Sequence, residues 1–315
     1  MTGLLWIAFG VVIVLMLAID LGVFNRKAHE IGFREALIWS IVWTVVALLF
    51  NGAVFLYVGP ERGLEFFTGY VIERALSFDN LFVFVLIFSY FGVPRRYHHR
   101  ALFWGVVGAL VTRAVFIGAG VALIVRFEWI LYIFGAVLVY SGWKMLKEKD
   151  VEVHPDKNLV IRAARTIFPV TSEFGTGRFF LRQDRRIFLT PLFLVLITIE
   201  TTDIVFAVDS IPAVFGVTHD PFVAFTSNIF AILGLRASYF LLESVLKTFK
   251  YLSHGLSVVL IFIGLKMLAA DFVHIPVAAS LAIVMAVLTV AIVASLIGER
   301  SVRPGPPSGD PPENT

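Results

Sequence analysis

Five acidic residues stand inside the most apolar parts of this chain: Glu73, Asp79, Glu200, Asp203 and Asp209, each well within a run otherwise suited to lipid. On insertion scales a carboxylate at a helix centre costs about 2.5 to 3.5 kcal/mol in a bilayer, so five without a purpose would burden the fold. Three arginines, Arg74, Arg113 and Arg236, lie in or beside the same runs and can neutralise part of that charge. If all are ionised, five acids against three arginines leave two negative charges, which a divalent cation balances. Protonation of buried acids would also serve.

Spacing groups these residues further. At 100° per residue, Glu73, Ser77 and Asn80 line one helix face, and Glu200, Asp203 and Ser210 line one face of a second helix. Asp79 and Asp209 sit about 120° off those stripes. They join the same site only through a local distortion of the helix, or else they face a neighbour. Pro212 favours distortion in the second helix, because its missing N–H frees the carbonyl of Val208 beside Asp209. Carboxylates, Ser, Asn and loose carbonyls form a hard-oxygen environment suited to Mn²⁺, Mg²⁺ or Ca²⁺. The seven His fall in loops or near the ends of apolar runs, and there is no Cys, which argues against a His-rich or thiolate metal site in the core. The competing reading of the acids is a structural ion-pair network. For Arg113 and Arg236 charge compensation is expected rather than contact with a substrate.

These residues must be positioned by membrane-spanning helices. The chain is 58% hydrophobic and 16% charged, well below the charge of a soluble domain, so a water-soluble enzyme is excluded. Apolar stretches fall at about 3 to 24, 36 to 58, 66 to 91, 102 to 125, 128 to 146, 187 to 215, 222 to 243, 254 to 271 and 276 to 297, each near a bilayer's thickness as a helix. The expected fold is all-α, a polytopic membrane protein of about nine transmembrane helices occupying residues 1 to 303. Alternating the loops puts twenty Lys and Arg on one side against two, Arg62 and Arg126, on the other. The positive-inside rule then places the N-terminus outside and the C-terminus in the cytoplasm. Residues 147 to 186 read as a cytoplasmic loop with one surface helix near 159 to 168, and the Pro-rich tail 304 to 315 reads as disordered. The bilayer is the obligatory partner, the small net charge of +3 gives no sign of nucleic-acid binding, and protein partners are unknown.

The chain also repeats itself. Glu73 to Asn80 (ERALSFDN) aligns with Asp203 to Ser210 (DIVFAVDS), Gly105 to Arg113 with Asn228 to Arg236, and Gly142-Trp143-Lys144-Met145-Leu146 with Gly264-Leu265-Lys266-Met267-Leu268. Repeat one spans about 66 to 146 and repeat two about 187 to 271. A unit of three crossings reinserts upside down, so two inverted three-helix repeats are expected, a plan of secondary transporters whose sites lie near the midplane.

The motifs ERALSFDN (73 to 80), ETTDIVFAVDSIPA (200 to 213) and TSNIFAILGLRASYFLL (226 to 242) resemble the TerC family of integral membrane proteins, and the likeness extends over nearly the whole chain. The resemblance implies a bacterial inner-membrane protein linked to manganese export, to tellurium resistance or to an alkaline-pH response. It maps the family's acidic motifs onto Glu73, Asp79, Asn80, Glu200, Asp203 and Asp209 as metal ligands, with Ser77, Ser210, Arg113 and Arg236 in support. Acids are a poor lining for tellurite, an anion. The leading expectation is a transporter exporting a divalent cation, Mn²⁺, as substrate and without a permanent cofactor. The alternatives are an exporter of a cationic amino acid and a non-transporting partner in metal supply to secreted proteins. No HExxH or GxSxG motif argues for an enzyme.

Overall fold

The computed structural model describes residues 2–24, 32–127, 129–147, 159–171, 174, 177–183, 186–245, 251–273 and 275–300. The tail and residues 148–158 of the expected loop lie outside the described residues. Among the described residues eleven helices and one hairpin follow in the order α1 (Thr2–Phe24), α2 (Phe33–Tyr57), α3 (Pro60–Tyr90), α4 (Arg95–Arg126), α5 (Ile130–Lys147), α6 (Leu159–Ile167), β1 (Phe180–Gln183), β2 (Arg186–Leu189), α7 (Pro191–Phe215), α8 (Pro221–Leu233), α9 (Leu235–Val245), α10 (Leu252–Leu268) and α11 (Val277–Arg300). The helices form because no water in a bilayer core can satisfy backbone groups, so an apolar chain must pair them within itself. Large apolar side chains cover the outside of the bundle, with Leu56 79% and Val125 80% exposed, a surface that suits lipid. The protein is an all-α polytopic membrane protein.

Every expected apolar stretch is largely helical, with two differences. Span six was expected from residue 187, but α7 begins only at Pro191, because residues 186 to 189 form β2 and Thr190 is extended. The hairpin was not foreseen, whereas α6 stands where a surface helix was expected. Span seven is not one helix: α8 and α9 meet at Gly234 with a bend of 42°. Five described helices are long and apolar enough to cross a membrane, six if the bent pair counts as one span. The expectation of nine is larger because it counts α1, α3 and α10 as well. Within α3 lie Glu61, Arg62, Glu65, Glu73, Arg74 and Asp79, too much charge for a purely apolar measure, and α10 has only 17 residues.

The core is organised around α3, which packs on α2, α7, α8, α9 and α11. An aromatic cluster ties the N-terminal helices to α8, through Phe9, Phe50, Phe66 and Phe230, with the Phe50 and Phe230 centroids 4.8 Å apart. At one end of the bundle, Glu65 accepts hydrogen bonds from Arg62 and from Thr218, joining the start of α3 to the turn between α7 and α8. Lys266 donates to the carbonyl of Gly216 in the same turn. Asn51 on α2 keeps its buried Oδ1 without a partner.

α5 and α10 press together through glycine. A Cβ on Gly135 would lie 3.0 Å from the carbonyl oxygen of Gly264, and one on Gly142 would lie 2.7 Å from that of Ser257. Gly135 and Ser257, like Gly142 and Gly264, are 122 residues apart, so the two contacts exchange when the expected repeats are interchanged. The contacts of Gly264 with Val139 and of Gly142 with Ile261 obey the same rule. Numbering rises on one helix as it falls on the other, so the pair is antiparallel. Gly264→Leu is expected to cost about 1 to 3 kcal/mol through overpacking, seen as a lower Tm in detergent. Gly118→Leu, where nothing lies within 4 Å, is expected to melt like wild type. Equal melting of the two variants would refute the close contact.

Candidate functional site

Four helices meet at Arg113. Its guanidinium, on α4, is fully buried, and its Nη1 donates to Glu73 Oε1 on α3 at 2.6 Å and to Ser210 Oγ on α7 at 2.6 Å. Nη2 reaches Asp203 Oδ1 on α7 at 3.4 Å, and Asn228 on α8 closes the ring by donating its Nδ2 to Glu73 Oε2 at 2.8 Å. Glu73 is 0% exposed and Asp203 2%. One guanidinium therefore serves two carboxylates, one from each expected repeat, and the trio carries a formal charge of one negative unit.

Polar groups on both sides of this network are left over. Asp203 Oδ2 and Ser77 Oγ are buried without a hydrogen-bond partner, and so is Arg113 Nε. A buried polar atom left unpaired costs about 1 to 3 kcal/mol, so an unpaired carboxylate oxygen in a membrane core needs a reason. Asp203 and Ser210 share the face of α7 that the helical period assigns them, and both touch Arg113.

The other expected residues are placed around this centre. Glu200, one turn before Asp203, packs against Gly108 of α4, where an added Cβ would lie 2.0 Å from its Oε1. Glycine at 108 is what admits that carboxylate. Asp209 turns to α5, where Ser141 Oγ donates to it at 2.5 Å. It faces a neighbouring helix, one of the two options left by its angular offset. The distortion expected at Pro212 does not break α7, which runs continuously through it; the break falls at Gly234 instead. Asn80 is buried on α3 but makes no hydrogen bond to the Arg113 group. The side chain of Asp79 lies outside the described residues. Arg236, expected to compensate the acids beside Arg113, does not join that group: its Nη1 lies 3.3 Å from His99 Nδ1. Among the described residues no three His, Asp or Glu side chains gather as a metal site: Glu73 and Asp203 meet on Arg113, Asp209 turns to α5, and Glu200 lies against Gly108 within electrostatic reach of Asp203.

Sequence reasoning missed Asn228, Ser141 and Gly108 as members of the site. Asn228 had a readable signal, being a primary amide after Thr226 and Ser227 in a helix apolar elsewhere, and aligned with Gly105 in the expected repeat. Ser141 and Gly108 had none, because only packing brings them to Asp209 and Glu200.

Residues 58–303 match the family described as "Integral membrane protein TerC family", which is most of the chain and includes every residue of this site. The chain belongs to the TerC family. Relatives of nearly full length are similar to it: an uncharacterized membrane protein of Myxococcus xanthus is 49% identical over 94% of this chain and 93% of its own. The "Putative membrane-bound redox modulator Alx" of Escherichia coli K12 is 48% identical over 91% and 92% of the two chains. An uncharacterized membrane protein of Rickettsia bellii is 37% identical over 94% and 98%. No solved structure matches the chain.

Proposed function

We propose that this TerC-family chain is a transporter of the bacterial inner membrane that exports a divalent cation, with Mn²⁺ as its substrate. The unpaired Oδ2 of Asp203, one of two buried carboxylates that share a single guanidinium, is the observation that carries the reading. Hard oxygens from Glu73, Asp203 and Ser77 suit Mn²⁺, and no thiol competes for a softer metal. In this reading α1, α3 and α10 are spans as well, the N-terminus is outside, and the two halves are inverted repeats moving about the midplane. The antiparallel α5–α10 contact, which exchanges with the repeats, supports that plan. Alx is named a redox modulator, but this chain has no Cys with which to run thiol chemistry, so a redox effect would follow from the metal it moves.

Purified protein in proteoliposomes is expected to carry Mn²⁺ down a gradient, and cells lacking the gene are expected to accumulate manganese. Wild-type manganese levels in the deletion strain, together with no flux in the liposomes, would sink the proposal. A second reading has its own observation: the two acids already hold a guanidinium, the group an exported arginine would present. Arginine displacing Mn²⁺ from purified protein would favour that cationic amino acid exporter.

A further inference from the structure

Arg74 follows Glu73 on α3 and was expected to neutralise the acids, yet it points elsewhere. Its Nη1 donates to the carbonyl of Ala231 at 3.1 Å, and its Nη2 donates to Ser238 Oγ at 2.7 Å and to Ser40 Oγ at 3.3 Å. Ala231 lies in the last turn of α8, Ser238 in the first turn of α9, and Ser40 on α2. One planar guanidinium thus bridges both sides of the break. No carboxylate among the described side chains stands within ion-pair distance of it. Its charge instead meets the end of α8, where carbonyls lose their in-helix donors and the helix dipole is negative.

The proton bookkeeping closes. Ser238 Oγ donates to the carbonyl of Gly234 at 3.0 Å, so it accepts from Arg74, and Ser40, 3.2 Å away, supplies its own hydrogen to Ser238. Gly234 gives an independent sign of the same construction. Its φ of −78° and ψ of −8° suit any residue, so the backbone does not require glycine there. Space does: a Cβ would lie 2.2 Å from Arg74 Nη1.

We propose that Arg74 is a positioning residue, which sets the break between α8 and α9 and thereby holds Asn228 against Glu73. Glu73 and Arg74 are neighbours on α3, and they grip α8 at Asn228 and Ala231, within one turn of each other. The acid holds the helix at the Arg113 site while the base holds it at its end. A shift of the break therefore moves Asn228 and changes the carboxylate that the cation would meet. For its ligand, this inference rests on the cation reading above.

The test uses Arg74→Lys, which keeps the charge but lacks the fork needed to span Ala231 and Ser238 together. Gly234→Ala displaces the guanidinium without altering any group at the Arg113 site. In both, hydrogen exchange of the backbone amides from 232 to 238 is expected to rise about tenfold, with α10 unchanged. Mn²⁺ binding to the purified protein is expected to weaken about tenfold in Arg74→Lys and in Asn228→Ala, the loss expected when a hydrogen bond to a charged group goes. The double variant is expected to bind no more weakly than the poorer single, because both act through one contact. Unchanged exchange at the break overturns the proposal, and so does a double variant whose loss is the product of the two. If wild-type protein binds no Mn²⁺, the cation reading fails, while hydrogen exchange still decides whether Arg74 sets the break.

Discussion

Arg113→Met is expected to be the costliest single substitution in the core, lowering stability by about 3 to 5 kcal/mol, the range for removing one partner of a buried ion pair. The guanidinium is fully enclosed and is shared by Glu73, Asp203 and Ser210, so its loss strands two carboxylates in a medium that cannot solvate them. Met fills much of the volume, which separates the loss of charge from the loss of packing. The corresponding measurement is the thermal midpoint of detergent-purified protein. Adding Glu73→Gln and Asp203→Asn to the same chain is expected to restore most of the lost stability, because neutral groups of similar shape no longer need the arginine. A triple variant that melts as early as Arg113→Met would show that Arg113 acts through packing.

Asp203→Asn should separate folding from transport. The amide oxygen can still accept from Arg113 Nη2, as Oδ1 does now at 3.4 Å, so the bundle is expected to survive with its melting little changed. What disappears is the charge on the unpaired oxygen. Affinity at oxygen sites follows the number of charged ligands, and one fewer carboxylate is expected to reduce Mn²⁺ binding and flux about a hundredfold. Glu200→Gln, which alters a carboxylate packed on Gly108 outside the Arg113 ring, is expected to have a smaller effect on binding. Wild-type flux in Asp203→Asn would remove Asp203 from the ion's path and with it the main support for a cation site here.

What the amino-acid pattern reveals, and what it hides, follows from the range of the forces involved. The five acids stand out because a carboxylate in an apolar run is costly wherever its partner lies. The shared face of Asp203 and Ser210 is legible because helical period is local, and both side chains do reach Arg113. The offset of Asp209 is legible too, but not that Ser141 of α5 would answer it, since that depends on how two helices pack. Arg74 and Arg113 look alike as neutralising charges in the sequence. Only the fold shows that the arginine next to Glu73 serves the end of α8, while the one forty residues away serves the acid. The break at Gly234 was hidden for a related reason: its cause is a side chain from another helix, and the proline at 212 is the more obvious breaker. The hairpin before α7 was hidden because apolar residues 187 to 189 read as the start of a span.

One guanidinium between two acids has a consequence for the membrane potential. Counted formally, Glu73, Asp203 and Arg113 sum to one negative charge, and a bound divalent ion turns that sum into one positive charge. A voltage acts on each elementary charge crossing the bilayer with about 2.3 kcal/mol per 100 mV. The loaded and unloaded cores would therefore be driven in opposite directions by the same field, so that a cell's resting voltage, negative inside, opposes both the outward step of the loaded core and the inward return of the empty one. On the proposed function, export of a divalent cation through this core would be an electrical problem as much as a chemical one, and would show first as current in a voltage-clamped membrane.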